Sequence, residues 1–274
     1  MTNDILIGKV NQFALNVNKL NTTKNSPERY SAPHIHDWCE IYVNLTGNVS
    51  FIVEKNIYSI KSGDIIITKP YEYHHCKYND ESDHKHYWIT FSSYENPELF
   101  DFFLQRKRGT NNLIRLPKEI LEKFLELCER LTKASSANPI QSMAVFFEII
   151  NYIANGLTKY NIQESNENLP HNISRILNYV NQNYRSIKNI NEIADEFHVS
   201  ITTLERYFKK YLSITPKRYL DDKKLSNACR LLRKNHSVTE ACFESGFEDY
   251  SHFITIFKKN FGTTPLKYKK NITN

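Results

Sequence analysis

The sequence predicts an α+β multidomain fold, in which an N-terminal antiparallel β-barrel with a pair of helices precedes a C-terminal all-α domain. Short alternating or apolar runs separated by turn residues fill residues 30–91, which is typical of antiparallel strands. Helical periodicity then runs through residues 116–160, and an internal repeat of helical segments occupies residues 187–268. A chain of 274 residues is long enough for about two such domains.

The predicted strands lie close together in the sequence. Residues 1–29 are rich in Asn and Lys, and their weak alternation predicts one edge strand. The runs EIYVNLTG and VSFIVEKNIYSI follow, divided by Gly47 and by the EKN turn. GDIIITKP and HYWITF predict two further strands, the first of them buried. Several short strands at this spacing predict an antiparallel barrel or sandwich.

Two helices are predicted after the strands. Pro117 begins the first, which runs to about Lys133, and Pro139 begins the second, which runs to about Tyr160. The second is apolar around more than one face, so it is predicted to pack against another helix as well as against the barrel. The predicted apolar faces comprise Leu121, Phe124, Leu125, Cys128 and Leu131 in the first helix, and Met143, Phe146, Phe147, Ile150, Ile153, Ala154 and Leu157 in the second.

A polar stretch separates the two predicted domains. Residues 161–171 read NIQESNENLPH and contain few large apolar side chains, which is typical of an interdomain linker. The expected boundaries are therefore 1–160 for the first domain, 161–171 for the linker and 172–274 for the second domain.

The second domain contains two copies of one sequence pattern. Residues 208–219 read FKKYLSITPKRY and residues 257–268 read FKKNFGTTPLKY, so that six of twelve positions are identical at an offset of 49. In both copies a Thr-Pro pair is positioned to cap and begin the next helix. An internal match of this kind predicts that the surrounding structure is duplicated as well.

The residues before each copy support the duplication. In the first, a short helix is followed by a turn at His198 and a helix that Ser200 can cap. In the second, Gly246 can supply the turn and Asp249 the cap. Each copy therefore predicts a helix-turn-helix unit. The predicted apolar faces comprise Ile190, Ile193, Ala194, Phe197, Leu204, Tyr207, Phe208 and Tyr211 in the first unit, and Val238, Ala241, Cys242, Ser245, Phe253, Ile256 and Phe257 in the second.

A single helix is predicted to connect the two units. Leu225, Ala228, Cys229 and Leu232 give residues 216–234 an apolar stripe. Its 19 residues would extend about 28 Å. One turn of B-DNA is about 34 Å. A rigid connector of this length could place two recognition helices in successive major grooves.

The charge is divided unequally between the predicted domains. Residues 171–274 hold 18 Lys and Arg against 10 Asp and Glu, a net charge of +8. Residues 1–170 hold 18 against 20, a net charge of −2. Charge alone would indicate only a solvated basic surface. Together with two helix-turn-helix units, it favours contact with nucleic acid phosphates.

Several other classes of protein are not expected. No run of about 18 apolar residues predicts a transmembrane helix, and the start MTNDILIGKVNQ does not resemble a signal peptide. The five cysteines include no CxxC pair, which favours a reducing cytoplasm. No nucleophile elbow or phosphate-binding glycine loop occurs, and no catalytic residue is predicted.

The repeat region resembles the DNA-binding domain of the AraC/XylS family of bacterial transcription regulators. IADEFHVSITTLERYFKKYLSITPKRYL and the stronger GFEDYSHFITIFKKNFGTTPLKY carry the resemblance, although His198 and Cys242 depart from the usual residues. The resemblance implies a cytoplasmic activator that binds double-stranded promoter DNA, RNA polymerase and a small-molecule effector such as a sugar. It also implies a homodimer whose interface is formed by the helix pair. The alternative is that the helix pair only closes the base of the barrel.

The resemblance implies which residues face DNA. The recognition helices are predicted at Ser200–Tyr211 and Asp249–Asn260. Arg206 can donate two hydrogen bonds to guanine and Glu205 can accept one from cytosine, whereas the repeated lysines suit phosphates. The predicted DNA-binding residues are Ser200, Ile201, Thr202, Glu205, Arg206, Lys209 and Lys210 in the first unit, and Tyr250, Ser251, His252, Thr255, Lys258 and Lys259 in the second.

The first domain resembles a cupin barrel through the segment PHIHDWCEIY and a later histidine. Cupin enzymes hold a metal with such residues, and AraC-type regulators carry the same barrel as a sensor. We predict an effector site at the barrel mouth formed by His34, His36, Glu40 and His74, with no metal and no cofactor. A bound metal, or side chains that merely brace the mouth, are the alternatives. Glu72, between Tyr71 and Tyr73, departs from the enzyme pattern.

Other side chains in the β domain have less specific roles. We expect His75, His84 and His86 at the surface or at strand ends rather than as ligands. Most aromatic residues are expected in the core, and a subset with polar tips would suit a sugar. Those aromatic residues are Trp38, Tyr42, Phe51, Tyr58, Tyr73, Tyr78, Tyr87, Trp88 and Phe91.

Two rival functions follow from the same residues. The first is a cupin metalloenzyme that carries a DNA-binding appendage. The second is a DNA-binding regulator controlled by a protein partner instead of a small molecule.

Overall fold

The structure is a computed structural model, and it describes residues 6–10, 13–23, 25–26, 35–36, 38–54, 56–93, 97–134, 138–160 and 167–273. These residues form two compact units, whose main stretches are His36–Asn168 and Leu169–Asn274. The first unit also contains the two N-terminal strands.

Two antiparallel sheets form the first unit, as predicted. One sheet has the strand order β1-β2-β8-β3-β6-β9, and the other has the order β10-β5-β4-β7. The N-terminal region supplies two strands instead of the single edge strand expected, because β2 lies between β1 and β8. The strands are β1 Leu6–Val10, β2 Phe13–Thr22, β3 Cys39–Thr46, β4 Val49–Val53, β5 Asn56–Ile60, β6 Ile65–Thr68, β7 His74–Tyr78, β8 His84–Phe91, β9 Leu113–Ile114 and β10 Glu167–Asn168.

Alternation along β3 decides which side chains enter the space between the sheets. Ile41 and Val43 belong to the apolar cluster that includes the helices, whereas Tyr42 belongs to the cluster between the two sheets. Because successive side chains on a strand point to opposite faces, Glu40 and Asn44 lie on the same face as Tyr42. The interior between the sheets is therefore partly polar.

Helices cover the other face of the six-stranded sheet. A 3-10 helix, Pro97–Phe100, leads into α1 at Asp101–Leu104, and the predicted pair follows as α2 Lys118–Thr132 and α3 Pro139–Lys159. Asn138 caps α3 by accepting a hydrogen bond from the Gln141 backbone N–H at 3.1 Å.

The faces of this helix pair are partly as predicted. The core also includes Leu127, Val145 and Ile149, which the sequence-based faces omitted. Phe147, predicted to be inside, is 41% exposed. The buried face of α3 therefore lies about one residue closer to the N-terminus than the apolar face predicted from the sequence.

Seven helices form the second unit within the described residues. They are α4 His171–Asn183, α5 Ile190–Glu196, α6 Ile201–Leu212, α7 Pro216–Arg233, α8 Val238–Glu244, α9 Tyr250–Phe261 and α10 Pro265–Thr273. The end of the expected linker is structured, because β10 pairs with β5 and α4 begins at His171. Residues 161–166 of that linker lie outside the described residues.

The predicted caps are present at the helix starts. The side chains of Ser200, Thr215 and Asp249 accept hydrogen bonds from backbone N–H groups three residues later. Such caps satisfy donors that have no partner inside the helix. The connector α7 ends one residue earlier than predicted, at Arg233.

No helix in the described ranges combines the length and the apolar character needed to cross a membrane.

Candidate DNA-binding surface and effector site

The first helix-turn-helix unit consists of α5 and α6. Leu204, Phe208 and Leu212 are the buried residues of α6, while Tyr207 and Tyr211, predicted on the inner face, are half-buried. Each of the predicted DNA-facing residues is exposed. These are Ser200, Ile201, Thr202, Glu205, Arg206, Lys209 and Lys210. The structure therefore leaves this face of α6 available for a ligand.

The second unit, α8 and α9, has the same arrangement. Phe253 and Phe257 are the buried residues of α9, and Ile256 is half-buried. The exposed residues again include each of the predicted ones: Tyr250, Ser251, His252, Thr255, Lys258 and Lys259. The Asp249 carboxylate accepts from the His252 backbone N–H at 2.7 Å, so it is engaged as the helix cap.

A buried lysine on α7 joins the two units. The Lys224 ammonium donates to the Ile187 carbonyl, just before the first unit, and to the Gly246 carbonyl in the turn of the second, each at 2.7 Å. Lys224 is only 4% exposed. Hydrogen bonds from a charged donor are among the stronger ones, so this contact fixes one unit against the other.

Asn227 adds a contact between α7 and the residue that follows α8. Its side-chain amide donates to the Ser245 hydroxyl at 3.2 Å, and its carbonyl oxygen accepts from Arg230 at 2.7 Å. Arg185, before the first unit, donates to the same oxygen at 3.4 Å. Lys224 and Asn227 were not predicted from the sequence, because polar residues on a helix are usually exposed.

Three of the four predicted effector residues come together between the sheets. Glu40 Oε2 lies 3.1 Å from His36 Nε2 and 3.3 Å from His74 Nε2. Glu40 and His74 are buried, and His36 is half-buried. The fourth predicted residue, His34, lies outside the described residues.

The segment around Glu72 holds His74 in place. Tyr71 has a left-handed backbone, with φ of 65°. The Glu72 carboxylate accepts from the Gly109 backbone N–H at 2.7 Å, and the Glu72 carbonyl lies 2.7 Å from His74 Nδ1. The departure from the cupin enzyme pattern at Glu72 therefore has a structural role.

Charge interactions within the three-residue cluster shift its proton affinities. Burial opposes ionisation of Glu40, but the imidazoles of His74 and His36 outweigh it and hold the pKa of Glu40 well below its usual range. Burial also disfavours a charged His74, yet the Glu40 carboxylate raises the pKa of His74. The cluster accordingly favours an ionised carboxylate.

The expectation that His75, His84 and His86 are at the surface is wrong. They are 5%, 0% and 7% exposed, respectively. His84 begins β8, as a strand-end residue should, but it hydrogen-bonds to the Tyr42 hydroxyl and stacks on His86. Burial lowers the pKa of His75 and of His86 to about 3, so both rings are neutral at pH 7.

Several buried polar atoms face the same interior. Thr68 and Thr90 are cross-strand neighbours of Glu40, and His86 is the neighbour of Asn44. Thr68 Oγ1, His86 Nδ1 and both side-chain polar atoms of Asn44 have no hydrogen-bond partner within the described residues. Buried polar groups normally have partners, so this pattern indicates a place for a polar ligand or water.

Comparisons with known proteins match both units. A family model described as an AraC-like ligand binding domain matches residues 22–150, and one described as a helix-turn-helix domain matches residues 193–271. The HTH-type transcriptional activator RhaS of Escherichia fergusonii is 25% identical over 257 residues, which is 89% of each chain. RhaS of Escherichia coli K12 is 25% identical over 252 residues, which is 87% of each chain.

Among solved structures, ToxT from Vibrio cholerae is similar at 15% identity over 95% of this chain and 99% of that one, with a TM-score of 0.39.

Two exposed recognition helices, combined with a ligand-binding β domain, define a DNA-binding transcription regulator that has a sensor domain. The chain belongs to the AraC/XylS family of bacterial transcription regulators.

Proposed function

We propose that the protein is a cytoplasmic, sequence-specific transcription activator controlled by a small polar molecule such as a sugar. The observation that carries the proposal is the exposure of the predicted DNA-facing sides of α6 and α9. Lys224 connects the two helix-turn-helix units that contain these helices. Activation is the function given in the name of RhaS, a relative similar along most of this chain. We assign regulation instead of catalysis, because the two matching family models describe a ligand binding domain and a helix-turn-helix domain.

Within this proposal the three domain roles are as follows. Residues 1–160 sense the effector and form a homodimer, residues 161–171 act as the linker, and residues 172–274 bind promoter DNA. Ile140 and Phe147 on α3 are 79% and 41% exposed, and they supply apolar area for the dimer contact. An activator of this kind also contacts RNA polymerase.

The DNA residues divide into two roles. Arg206 and Glu205 in the first unit, and Tyr250, Ser251 and Thr255 in the second, read base edges. Lys209, Lys210, Lys258 and Lys259 contact phosphates. Ser200, Ile201, Thr202 and His252 border these residues at the same helix ends. Direct readout of this kind suits a helix in the major groove.

The proposed effector enters the space between the sheets. His36, Glu40 and His74 form its polar end, and His34 belongs to the same motif. Asn44, Thr68 and His86 offer buried polar atoms that a ligand with several hydroxyl groups would satisfy. A polyol is favoured over an apolar ligand, because an apolar ligand would leave these atoms without partners.

Footprinting tests the function directly. The purified full-length protein is mixed with the DNA upstream of its own coding region, with and without a panel of sugars. Protection of a site that spans successive major grooves, changed by one sugar, is expected. Absence of protection at low salt would contradict the proposal, since even phosphate contacts alone give binding there.

A double substitution tests the effector site. His36→Gln with Glu40→Gln is expected to abolish the change in footprint caused by the sugar. Binding to the same DNA without sugar should be retained, because the substituted residues lie in the β domain and not in the helical domain that binds DNA. A double variant that still responds to the sugar would place the effector elsewhere.

A further inference from the structure

The internal repeat includes two tyrosines that lie outside the recognition helices. Tyr219 and Tyr268 occupy the last position of the two copies, at the same offset of 49. Tyr219 is on α7, just after the first helix-turn-helix unit, and Tyr268 is on α10, just after the second. They are 0% and 9% exposed, so both are too buried to contact DNA. Their recurrence therefore points to a role inside the helical domain.

Each tyrosine ring packs against the recognition helix of its own unit. The centroid of the Tyr219 ring lies 5.6 Å from that of Phe208 on α6. The centroid of the Tyr268 ring lies 5.4 Å from that of Phe257 on α9. Both pairs are T-shaped, and the two phenylalanines are themselves repeat partners. Because aromatic pairs prefer this geometry, each contact orients the recognition helix relative to the tyrosine.

Each tyrosine hydroxyl contacts the helix that precedes its unit. The Tyr219 hydroxyl donates to Asn181 Oδ1 at 3.0 Å, and Asn181 is on α4, before the first unit. The Tyr268 hydroxyl accepts from the Arg233 guanidinium at 3.0 Å, and Arg233 is on α7, before the second unit. In both copies one side chain therefore joins the preceding helix to the recognition helix. We call this arrangement a tyrosine tie.

A lysine reinforces the second tyrosine tie. The Lys269 ammonium donates to the Asn235 and His236 carbonyl oxygens, each at 2.9 Å. Both carbonyls belong to the turn between α7 and α8, where Asn235 has a left-handed backbone with φ of 68°. The equivalent position in the first copy is Leu220, whose side chain has no donor. The first tie therefore depends more on its tyrosine hydroxyl than the second does.

We propose that Tyr219 and Tyr268 are positioning residues for DNA reading, each of which fixes one recognition helix without touching DNA. The inference rests on the proposed base reading by α6 and α9. Hydrogen bonds to base edges weaken steeply when their geometry is displaced. A recognition helix that is held in place before binding also loses less conformational freedom in the groove. Each hydroxyl should therefore support selectivity under its own helix and not under the other.

Hydrogen exchange of the free, full-length protein tests the positioning role without DNA. Tyr219→Phe and Tyr268→Phe each keep the ring and remove only the hydroxyl. Tyr219→Phe should speed backbone exchange in α6 about three- to tenfold, the equivalent of one hydrogen bond, with α9 as in the wild type. Tyr268→Phe should act on α9 and not on α6, by a smaller factor because Lys269 remains. Exchange unchanged in both helices, or raised equally in both, would overturn the inference.

Binding assays test whether the held helix matters for reading. Competition experiments use the footprinted site with each base pair altered in turn. Tyr219→Phe should weaken binding to the preferred site about three- to tenfold and reduce the penalty for altered base pairs under α6. Tyr268→Phe should reduce the penalties under α9 instead. Penalties that stay at the wild-type level under both helices would contradict the positioning role.

Variants on the other side of each tie separate the hydroxyl contact from other effects of changing a tyrosine. Asn181→Ala and Arg233→Met remove the two partners, which are both half-buried. Asn181→Ala should reproduce Tyr219→Phe, and the double variant should differ little from either, because both changes remove one contact. Arg233→Met should combine with Tyr268→Phe in the same way. Fully additive effects on exchange would also overturn the inference. The partner variants replace a tyrosine variant that does not fold.

The inference and the proposed function can fail separately. A wild-type protein with no preferred DNA sequence would contradict the proposed function, while exchange in the free protein still decides whether the hydroxyls hold the recognition helices. A selective wild-type protein whose two tyrosine variants keep the same selectivity would contradict the inference alone.

Discussion

The two helix-turn-helix units share a fold but differ in how tightly their turns are packed. His198 and Gly246 occupy corresponding turns, and both have a left-handed backbone, with φ of 51° and 89°. His198 is exposed. A Cβ atom at Gly246 would lie 2.3 Å from the Arg185 carbonyl oxygen. Only the second turn therefore requires glycine for space as well as for backbone conformation.

This difference explains why the family resemblance is stronger in the second unit. Its turn packs against the backbone before α5 and accepts a hydrogen bond from Lys224. Those constraints concern the fold and not the reading of bases. The exposed face of α6 carries Arg206 and Glu205, whereas the face of α9 carries Tyr250, Ser251 and Thr255. A strongly constrained unit can thus have the less selective surface.

The largest expected effect comes from filling the packed turn. Gly246→Ala should destabilise the second unit by about 3 kcal/mol, because it adds backbone strain and a clash with backbone atoms. His198→Gly should change stability by less than about 1 kcal/mol. Urea unfolding followed by the helical circular dichroism signal measures both. Equal effects at the two turns would contradict the comparison.

Separating the two units should have the next largest effect. Lys224→Met removes two charge-assisted hydrogen bonds and should cost about 2 kcal/mol of stability. Binding to a complete DNA site should weaken about tenfold more than binding to a site for one unit alone. Lys223→Met is the matched control, because Lys223 is equally buried one residue earlier. If the complete site and the single-unit site lose affinity equally, Lys224 does not set the spacing between the units.

Base reading should differ between the units. Arg206→Ala should cost about 1–3 kcal/mol on the preferred sequence and relax the preference at one base pair. Thr255→Ala should cost less binding free energy, because Thr255 offers one hydroxyl whereas the Arg206 guanidinium can donate two hydrogen bonds to one base. Competition assays with each base pair of the site altered in turn give both values. A larger penalty under the second unit would reverse the assignment.

The smallest effects are expected where the units are alike. Substituting Gln for Lys209, Lys210, Lys258 or Lys259 should lower the slope of log affinity against log salt by about one unit, without a change in sequence preference. All four lysines are exposed at equivalent places on α6 and α9. A lysine whose removal leaves the slope unchanged is not a phosphate contact.

The sequence repeat and the helix caps made the fold of the C-terminal helical domain predictable. Ser200, Thr215 and Asp249 act locally, within three residues of their partners, so a sequence pattern is sufficient to find them. Lys224 was not predictable in the same way. Its partners, Ile187 and Gly246, are 37 and 22 residues away, and nothing in the local sequence distinguishes it from an exposed lysine.

In the β domain most of the strands were predictable, but β7 and β9 were missed, and the faces of the strands were not predictable. Assigning His84 and His86 to the interior requires the register of β8 against β3, which depends on pairings distant in sequence. The cluster of His36, Glu40 and His74 was anticipated from the cupin-like motif. The spacing of that motif could not indicate that both Nδ1 atoms are committed to carbonyl groups.

The alternation along β3 also bears on how such a sensor can change over evolutionary time. Ile41 and Val43 hold the sheet against the helices, while Tyr42 and Asn44 face the interior. Replacing Asn44, which belongs to neither apolar cluster, would change which molecules fit without removing a core contact. We therefore expect a laboratory library at Asn44 to change effector specificity while the fold is retained.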